Sequence, residues 1–258
     1  MMADYSAELN VAVEAARVAG KFLRQHFDAP KTVNAEFAHD LKLQLDKDTQ
    51  QLITQQLRAA FPSYSVLGEE GETGRMTAEA LWIVDPIDGT VNYFYGIPLF
   101  CVSIALQVRG KLVLGCVYDP MRDECYTAIA GSAARLNGRE LRVSPRTLMA
   151  EAVVFVGHGR HDGSGETGIR RFAHISAQVR KIRILGTAAL TICYIAAGRF
   201  DAYIENRINL WDFAAARVIL ESAGGCLDFT PDAEGAYTGS VIAWNGALPI
   251  HEALQLPE

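Results

Sequence analysis

Asp85 and Asp88 stand three residues apart around Pro86, at the end of the apolar run Leu81-Trp82-Ile83-Val84. The run is bulky and β-branched, as a short buried strand is, and the proline is expected to stop it. Gly89 and Thr90 follow, where a turn or helix starts and frees backbone N–H groups. Two carboxylates at a strand end, beside such donors, suit a cation and a phosphate held together. More carboxylates stand far off in sequence: Glu69 and Glu70 after Gly68, and Asp212 after Trp211 at a helix start. A hard cation such as Mg2+ takes oxygen ligands from several segments, and three or four carboxylates are enough to bridge two ions. The helix dipole would stabilise the charge of Asp212 as well. The chemistry these residue types point to is magnesium-dependent hydrolysis of a phosphate ester.

Taken singly, each group has a plainer reading. Paired glutamates in a Gly-rich loop are a solvated surface, Asp85 and Asp88 organise a turn, and Asp212 caps a helix. Only their occurrence together, in one order, favours the chemical reading.

The elements that must position them are legible in outline. Residues 4–27 place Leu9, Val13, Ala16, Gly20, Leu23 and Phe27 on one helical face. A second helix is expected over 47–60, with Leu52, Leu57 and Ala60 inward. Between them Leu41, Leu43 and Leu45 alternate as a strand edge that delivers Asp46. Residues 68–79 read as a mobile polar loop. Strands are expected at Phe100–Val108, Leu112–Tyr118 and Glu124–Ile129, with turns at Arg109-Gly110-Lys111 and Asn137-Gly138. The second half reads as strand at Ala152–Val156, polar loop through Gly168, and strand at Lys181–Leu185. A helix from Gly186-Thr187 to Ala197 follows, then a strand at Phe200–Ile204, a helix at Trp211–Ala223 and a strand at Ser240–Trp244. One compact domain over 1–258 is expected, with lobes at about 1–145 and 146–258.

Half of the 258 residues are hydrophobic and 21% are charged, as in an ordinary globule, and the formal charge of −6 argues against a nucleic-acid surface. No charged-then-apolar leader and no apolar run of about 18 residues is visible, so neither export nor a membrane span is expected. The five cysteines form no Cys-x-x-Cys and read as reduced, buried thiols of a cytoplasmic protein.

The segments Gly68-Glu69-Glu70, Trp82-Ile-Val-Asp-Pro-Ile-Asp-Gly-Thr90 and Trp211-Asp212 closely resemble the signatures of the inositol monophosphatase family. The match extends to Asp46, to Gly186-Thr187-Ala188-Ala189 and to Asp201-Ala-Tyr-Ile-Glu205, over about residues 5 to 245. The resemblance implies an α+β fold, a layered α-β-α-β-α sandwich of the sugar phosphatase type. It implies two or three Mg2+ per site, lithium sensitivity and a symmetric homodimer. Glu69, Asp85 and the Ile87 carbonyl resemble ligands of a first ion, and Asp85, Asp88 and Asp212 those of a second. Glu69 would also help hold a third, weaker ion, with Asp46 close to it. Gly89 and Thr90 would bind phosphate oxygens through their amides, and the Thr90 hydroxyl with Glu69 would orient the attacking water. Gly186, Thr187, Ala188 and Glu205 would line the alcohol side.

The substrate this implies is a small phosphorylated polyol, myo-inositol 1-phosphate first. Fructose 1,6-bisphosphate, histidinol phosphate and 3′-phosphoadenosine nucleotides remain open, as does a non-catalytic protein- or RNA-binding module on the same fold. The chain departs from the family pattern at Val91, where many relatives carry Thr, and at Tyr95, where His is common. Other signals are discounted. Val153 to Gly159 begins like a dinucleotide fingerprint, but Asp162 stands where its third Gly belongs. No phosphate loop with Gly-Lys-Ser/Thr occurs, the six histidines lack zinc spacing, and Arg170, Arg171, Arg180, Lys181 and Arg183 read as a solvated face.

Overall fold

Helices α1 (Ser6–Gln25) and α2 (Gln44–Ala60) pack together on one side of a sheet. The computed structural model describes residues 4–37, 40–71, 78–157 and 165–255. Between the two helices runs the small antiparallel pair β1 (Val33–Phe37) and β2 (Asp40–Leu43). Next come β3 (Ser65–Gly68), β4 (Ala80–Asp88), a short α3 (Thr90–Phe94), β5 (Cys101–Val108), β6 (Lys111–Asp119) and β7 (Glu124–Ile129). The short strands β8 (Arg135–Leu136) and β9 (Arg139–Glu140) complete a seven-stranded sheet that is antiparallel except for the parallel pair β3 and β4. The rest of the chain runs β10 (Val153–Val156), α4 (Gly165–Gln178), β11 (Lys181–Ile182), α5 (Ala188–Ala196), β12 (Ala202–Asn209) and α6 (Leu210–Ser222). It ends with β13 (Cys226–Pro231), β14 (Thr238–Trp244) and α7 (Ile250–Ala253). Its five strands take the order β11-β10-β12-β14-β13.

Alternation along β4 divides the apolar residues between two cores. Trp82 and Val84 pack with α1 and α2, while Leu81 and Ile83 face the other way, onto α5 and α6. The five-stranded sheet covers α5 and α6 from beyond, and α4 and α7 cover its outer face through Ile175, Ile250 and Ala253. The layers are α-β-α-β-α, as the resemblance implied. All five cysteines are free, four of them buried. Among the described residues, no helix is long and apolar enough to cross a membrane.

Several expectations are corrected. β4 does not stop at Pro86 but runs on to Asp88, because the proline sits at a bulge, where no ladder N–H is required. The buried face of α1 is Ala12, Ala15, Ala16, Ala19, Gly20 and Leu23, with Leu9 and Val13 at its margin. Small residues bring the helix backbone close to the sheet, and a Cβ on Gly20 would overlap the Tyr118 ring. Ala60 is exposed, because the inner face of α2 is the partly polar stripe Asp46, Thr49, Gln50, Ile53, Leu57. The strand expected at Lys181–Leu185 is only two residues long. α4 begins at Gly165, inside the expected loop, and β13 and α7 were not anticipated. Residues 72–77 of the expected mobile loop, and 158–164 with His158, His161 and Asp162, lie outside the described residues, as does His39.

α6 crosses the seven-stranded sheet at a close backbone approach, where a Cβ on Gly115 would overlap the Ala215 carbonyl. Gly115→Ala is therefore expected to lower stability by about 1–3 kcal/mol through overpacking, read as a reduced urea midpoint at unchanged m. An unchanged midpoint would show that α6 has room to move.

Candidate active site

The parallel strands β3 and β4 end side by side and carry most of the acidic set. Gly68 pairs with Val84, and the Glu69 N–H donates to the Val84 carbonyl at 3.3 Å. The Glu70 N–H donates to Gln50 Oε1 at 2.9 Å, and a Cβ on Gly68 would strike that same amide. Glycine at 68 thus lets the buried Gln50 of α2 reach the loop.

In β4, Asp85 pairs with Ser103 and Asp88 with Cys101, so the strand carries one residue more than β5 over this stretch. In a regular strand, residues three apart point to opposite faces. The extra residue reverses that, and both carboxylates face α5 and α6, while Ile87 packs with the α1–α2 core. Asp85 Oδ1 accepts the Ile87 N–H at 3.0 Å. Asp88 crosses to the start of α5, where it accepts the Thr187 hydroxyl and the N–H groups of Ala188 (3.1 Å) and Ala189 (2.8 Å).

Gly89 adopts φ 100°, a left-handed conformation natural to glycine, and opens α3. The Thr90 hydroxyl donates to the Ile87 carbonyl at 2.9 Å and lies 3.4 Å from Asp46 Oδ1. Asp46 Oδ2 accepts the Leu43 N–H at 2.6 Å, which seals the start of α2. Asn92 donates to the carbonyls of Leu99 (2.8 Å) and Leu185 (2.7 Å), tying α3 to the Gly186 loop. Asp212 sits in the first turn of α6 and accepts the Asn209 N–H at 2.9 Å. Glu205, in regular register with Val241, shares the cleft-facing side of β12 with Tyr203; a bulge after it returns Ile208 to that same side, and Arg207 within the bulge has φ 55°.

A cleft of about 440 Å³ opens between the sheets, and its walls include Glu69, Asp85, Ile87, Asp88, Gly89, Thr90, Gly186, Thr187, Ala188, Glu205 and Asp212. Asp46 is the exception among the expected residues, because it lies behind Thr90 rather than on the wall. Val91 lines the cleft, whereas Tyr95 stands exposed outside it. Sequence reasoning missed Phe155, Gly157, Ile184, Tyr203, Asn206 and Arg207 on the walls. Gly157 had a usable signal, the Gly-x-Gly after β10, which was set aside with the dinucleotide pattern. A Cβ there would overlap the Glu205 carboxylate. Arg171 is also not simply solvated: it is half-buried, with Nη1 3.5 Å from Asn206 Oδ1.

The electrostatics are those of charges crowded out of water. Burial holds Asp85 well above the usual carboxylate range, and Glu69, Asp88, Asp212 and Asp46 push it further. Asp212 is raised by burial, then by Glu69 and Asp88. Asp88 is raised by burial against the pull of the Thr187, Ala189 and Ala188 donors. Burial lifts Asp46 to about 7, against the Leu43 N–H, with Glu69 and Glu70 adding to the rise. Among the described residues, no three His, Cys, Asp or Glu groups are already gathered at metal-shell spacing. The donors nonetheless fit a hard cation. All are oxygens, three are buried carboxylates with no compensating charge among the described residues, and Asp88 Oδ1 accepts one hydrogen bond and keeps a second lone pair.

A five-layer sandwich with an acidic cleft between its sheets defines a metal-dependent phosphatase. The model of the inositol monophosphatase family matches residues 4–248, and the chain belongs to that family, whose members are metal-dependent and lithium-sensitive. An inositol-1-monophosphatase of Rhizobium meliloti is 39% identical, over 98% of this chain and 97% of its own length. Nus factor SuhB of Pseudomonas aeruginosa is 37% identical over 92% and 91%. The crystal structure of the extragenic suppressor protein SuhB from Bartonella henselae superposes with a TM-score of 0.89 at 36% identity, covering 97% of this chain and 99% of that one.

Burial raises Glu205 from an ordinary 4.5 to about 7, with the Asn206 N–H pulling it down. A carboxyl raised on folding favours the native state while it is protonated, and that advantage is lost as pH climbs from the unfolded value through the folded one. Without metal, Glu205→Gln should match the wild type in stability below pH ~4.5. It should exceed the wild type by on the order of 3 kcal/mol above pH ~7. A difference independent of pH would contradict this assignment.

Proposed function

We propose that this phosphatase hydrolyses myo-inositol 1-phosphate to myo-inositol and phosphate with Mg2+. The observation that carries the reading is the bulge in β4, which turns Asp85 and Asp88 onto one face beside Asp212. Glu69, Asp85 and the Ile87 carbonyl would hold one ion, and Asp85, Asp88 and Asp212 another. When bound, such a pair supplies an activated water and neutralises charge on the phosphate and the leaving oxygen.

The remaining work falls to the chain. The first turn of α3 leaves N–H groups without helical partners, so the amides of Gly89 and Thr90 are placed to receive phosphate oxygens. The Thr90 hydroxyl donates to the Ile87 carbonyl, and its oxygen is left to accept a hydrogen bond from, and so orient, a water that Glu69 also holds. Asp46 supports Thr90 from behind. On the opposite wall Glu205 faces the alcohol, where a carboxylate takes polyol hydroxyls. Gly186, Thr187 and Ala188 form the floor there, pinned through Asp88. The inositol substrate rests on this wall and on the name of the Rhizobium relative.

We take the chain to be one catalytic domain, since the cleft is built from both sheets, and a cytoplasmic homodimer on the resemblance and the free thiols. The similarity to a protein named Nus factor SuhB favours a second reading, a binding role beside catalysis.

Asp85→Asn tests the metal reading most cleanly, because an asparagine Oδ1 still accepts the Ile87 N–H. The variant should lose more than ~100-fold in kcat/KM and, in chelator, melt no lower than the wild type, since a buried like charge is removed. Activity within tenfold of the wild type would overturn the reading.

Over a panel of inositol 1-phosphate, fructose 1,6-bisphosphate, histidinol phosphate and a 3′-phosphoadenosine nucleotide, the first should show the highest kcat/KM. A preference for another ester would overturn the substrate and leave the metal reading standing.

A further inference from the structure

Beside the two-ion set, β2 brings a lysine to the acidic loop. Lys42 Nζ donates to the Glu70 carboxylate and lies 3.6 Å from Glu69 Oε1. The Glu70 side chain is only 3% exposed, against 20% for Glu69 and 29% for Lys42, so the ammonium neutralises a nearly enclosed charge. The same ammonium acts on Asp46, in the opposite sense to Glu69 and Glu70. Asp46, Glu69 and Glu70 are thus three carboxylates already served by one covalently held cation. The resemblance implied a third, weaker metal ion in this corner, beside Glu69 and close to Asp46. A divalent ion arriving there would meet the ammonium at short range and would compete with it for the same oxygens.

Resting on the metal reading above, we propose that Lys42 is the third cation of this site: its ammonium occupies the corner at Glu69 and Glu70 that a third divalent ion would otherwise take, so the enzyme binds two ions per chain. A tethered charge has no concentration dependence, so the corner is neutralised at any metal level. It also brings no exchangeable metal-bound water, and its role is to hold Glu69 and the loop in position. Lys42 is therefore a positioning residue, not a catalytic one.

The test counts bound metal in the full chain. Mn2+ is titrated at equilibrium, free hexa-aqua Mn2+ is read by electron paramagnetic resonance, and fold is followed by circular dichroism. Wild type and Lys42→Arg, which keeps the charge, should each bind two ions. Lys42→Met, which keeps the stem and removes the charge, should bind three, and Lys42→Met with Glu70→Gln should return to two. In chelator, the urea midpoint of Lys42→Met should fall below that of the wild type, because Glu70 is left without its cation, and Mn2+ should restore it. Three ions in the wild type, or two in Lys42→Met, would overturn the proposal while leaving the two-ion reading intact. No Mn2+ bound by any of the proteins would overturn both.

Discussion

Between Val84 and Asp88, strand β4 has one residue more than its neighbour β5, and the direction of Asp88 relative to Asp85 follows from that count. Without the extra residue, Asp85 and Asp88 would point to opposite sides of the sheet, one into the α1–α2 core and one into the cleft. Pro86 suits the interruption because it has no N–H to forfeit. In the other sheet regular alternation along β12 points Glu205 into the cleft, and the bulge that follows, with a left-handed backbone at Arg207, turns Ile208 to the same side. An irregular β4 and the regular part of β12 therefore bring acidic groups from both sheets to a single cleft.

Holding Asp85, Asp88 and Asp212 out of water is unfavourable, and among the described residues hydrogen-bond donors steady them. Asp88 takes three donors from the start of α5, Asp212 takes the N–H of Asn209, and Asp85 takes that of Ile87. Each bond fixes an oxygen while leaving acceptor capacity. Asp88 has a further duty, since it couples β4 of one sheet to the helix layer between the sheets. Asparagine there would turn an amide toward one of three donors, so changes at 88 disturb packing and ligation together. Position 85 separates the two.

Much of the fold and of the site was legible in the sequence, for identifiable reasons. Strands β5 to β7 and helices α5 and α6 have unbroken patterns closed by Gly or turn residues, and short-range signals suffice for them. The inward face of α1 was found but drawn too narrowly, and that of α2 was partly misplaced at Ala60, because apolarity was taken as the marker of burial. Ala12 and Ala15 were therefore overlooked, and Asp46, Thr49 and Gln50 are buried as part of the site's support. The bulge at Pro86 was read as a stop, since a proline signals both and only the partner strand decides between them. The acidic residues were found because carboxylates are conspicuous. Gly157, Asn92 and Lys42 were not, because their roles consist of contacts with residues distant in sequence: Glu205, Leu185 and Glu70. A reading confined to local windows carries no signal for such partners.

The central claim is that buried oxygens from β3, β4 and α6 share divalent ions in the cleft. The most direct measurement is an anomalous difference map from crystals soaked with Mn2+ and phosphate. Peaks are predicted in contact with Asp85, with Asp88 and Asp212 on one side and Glu69 and the Ile87 carbonyl on the other, and with phosphate density against Gly89 and Thr90. Ordered Mn2+ found only elsewhere on the protein, with these side chains in their metal-free positions, would contradict the account.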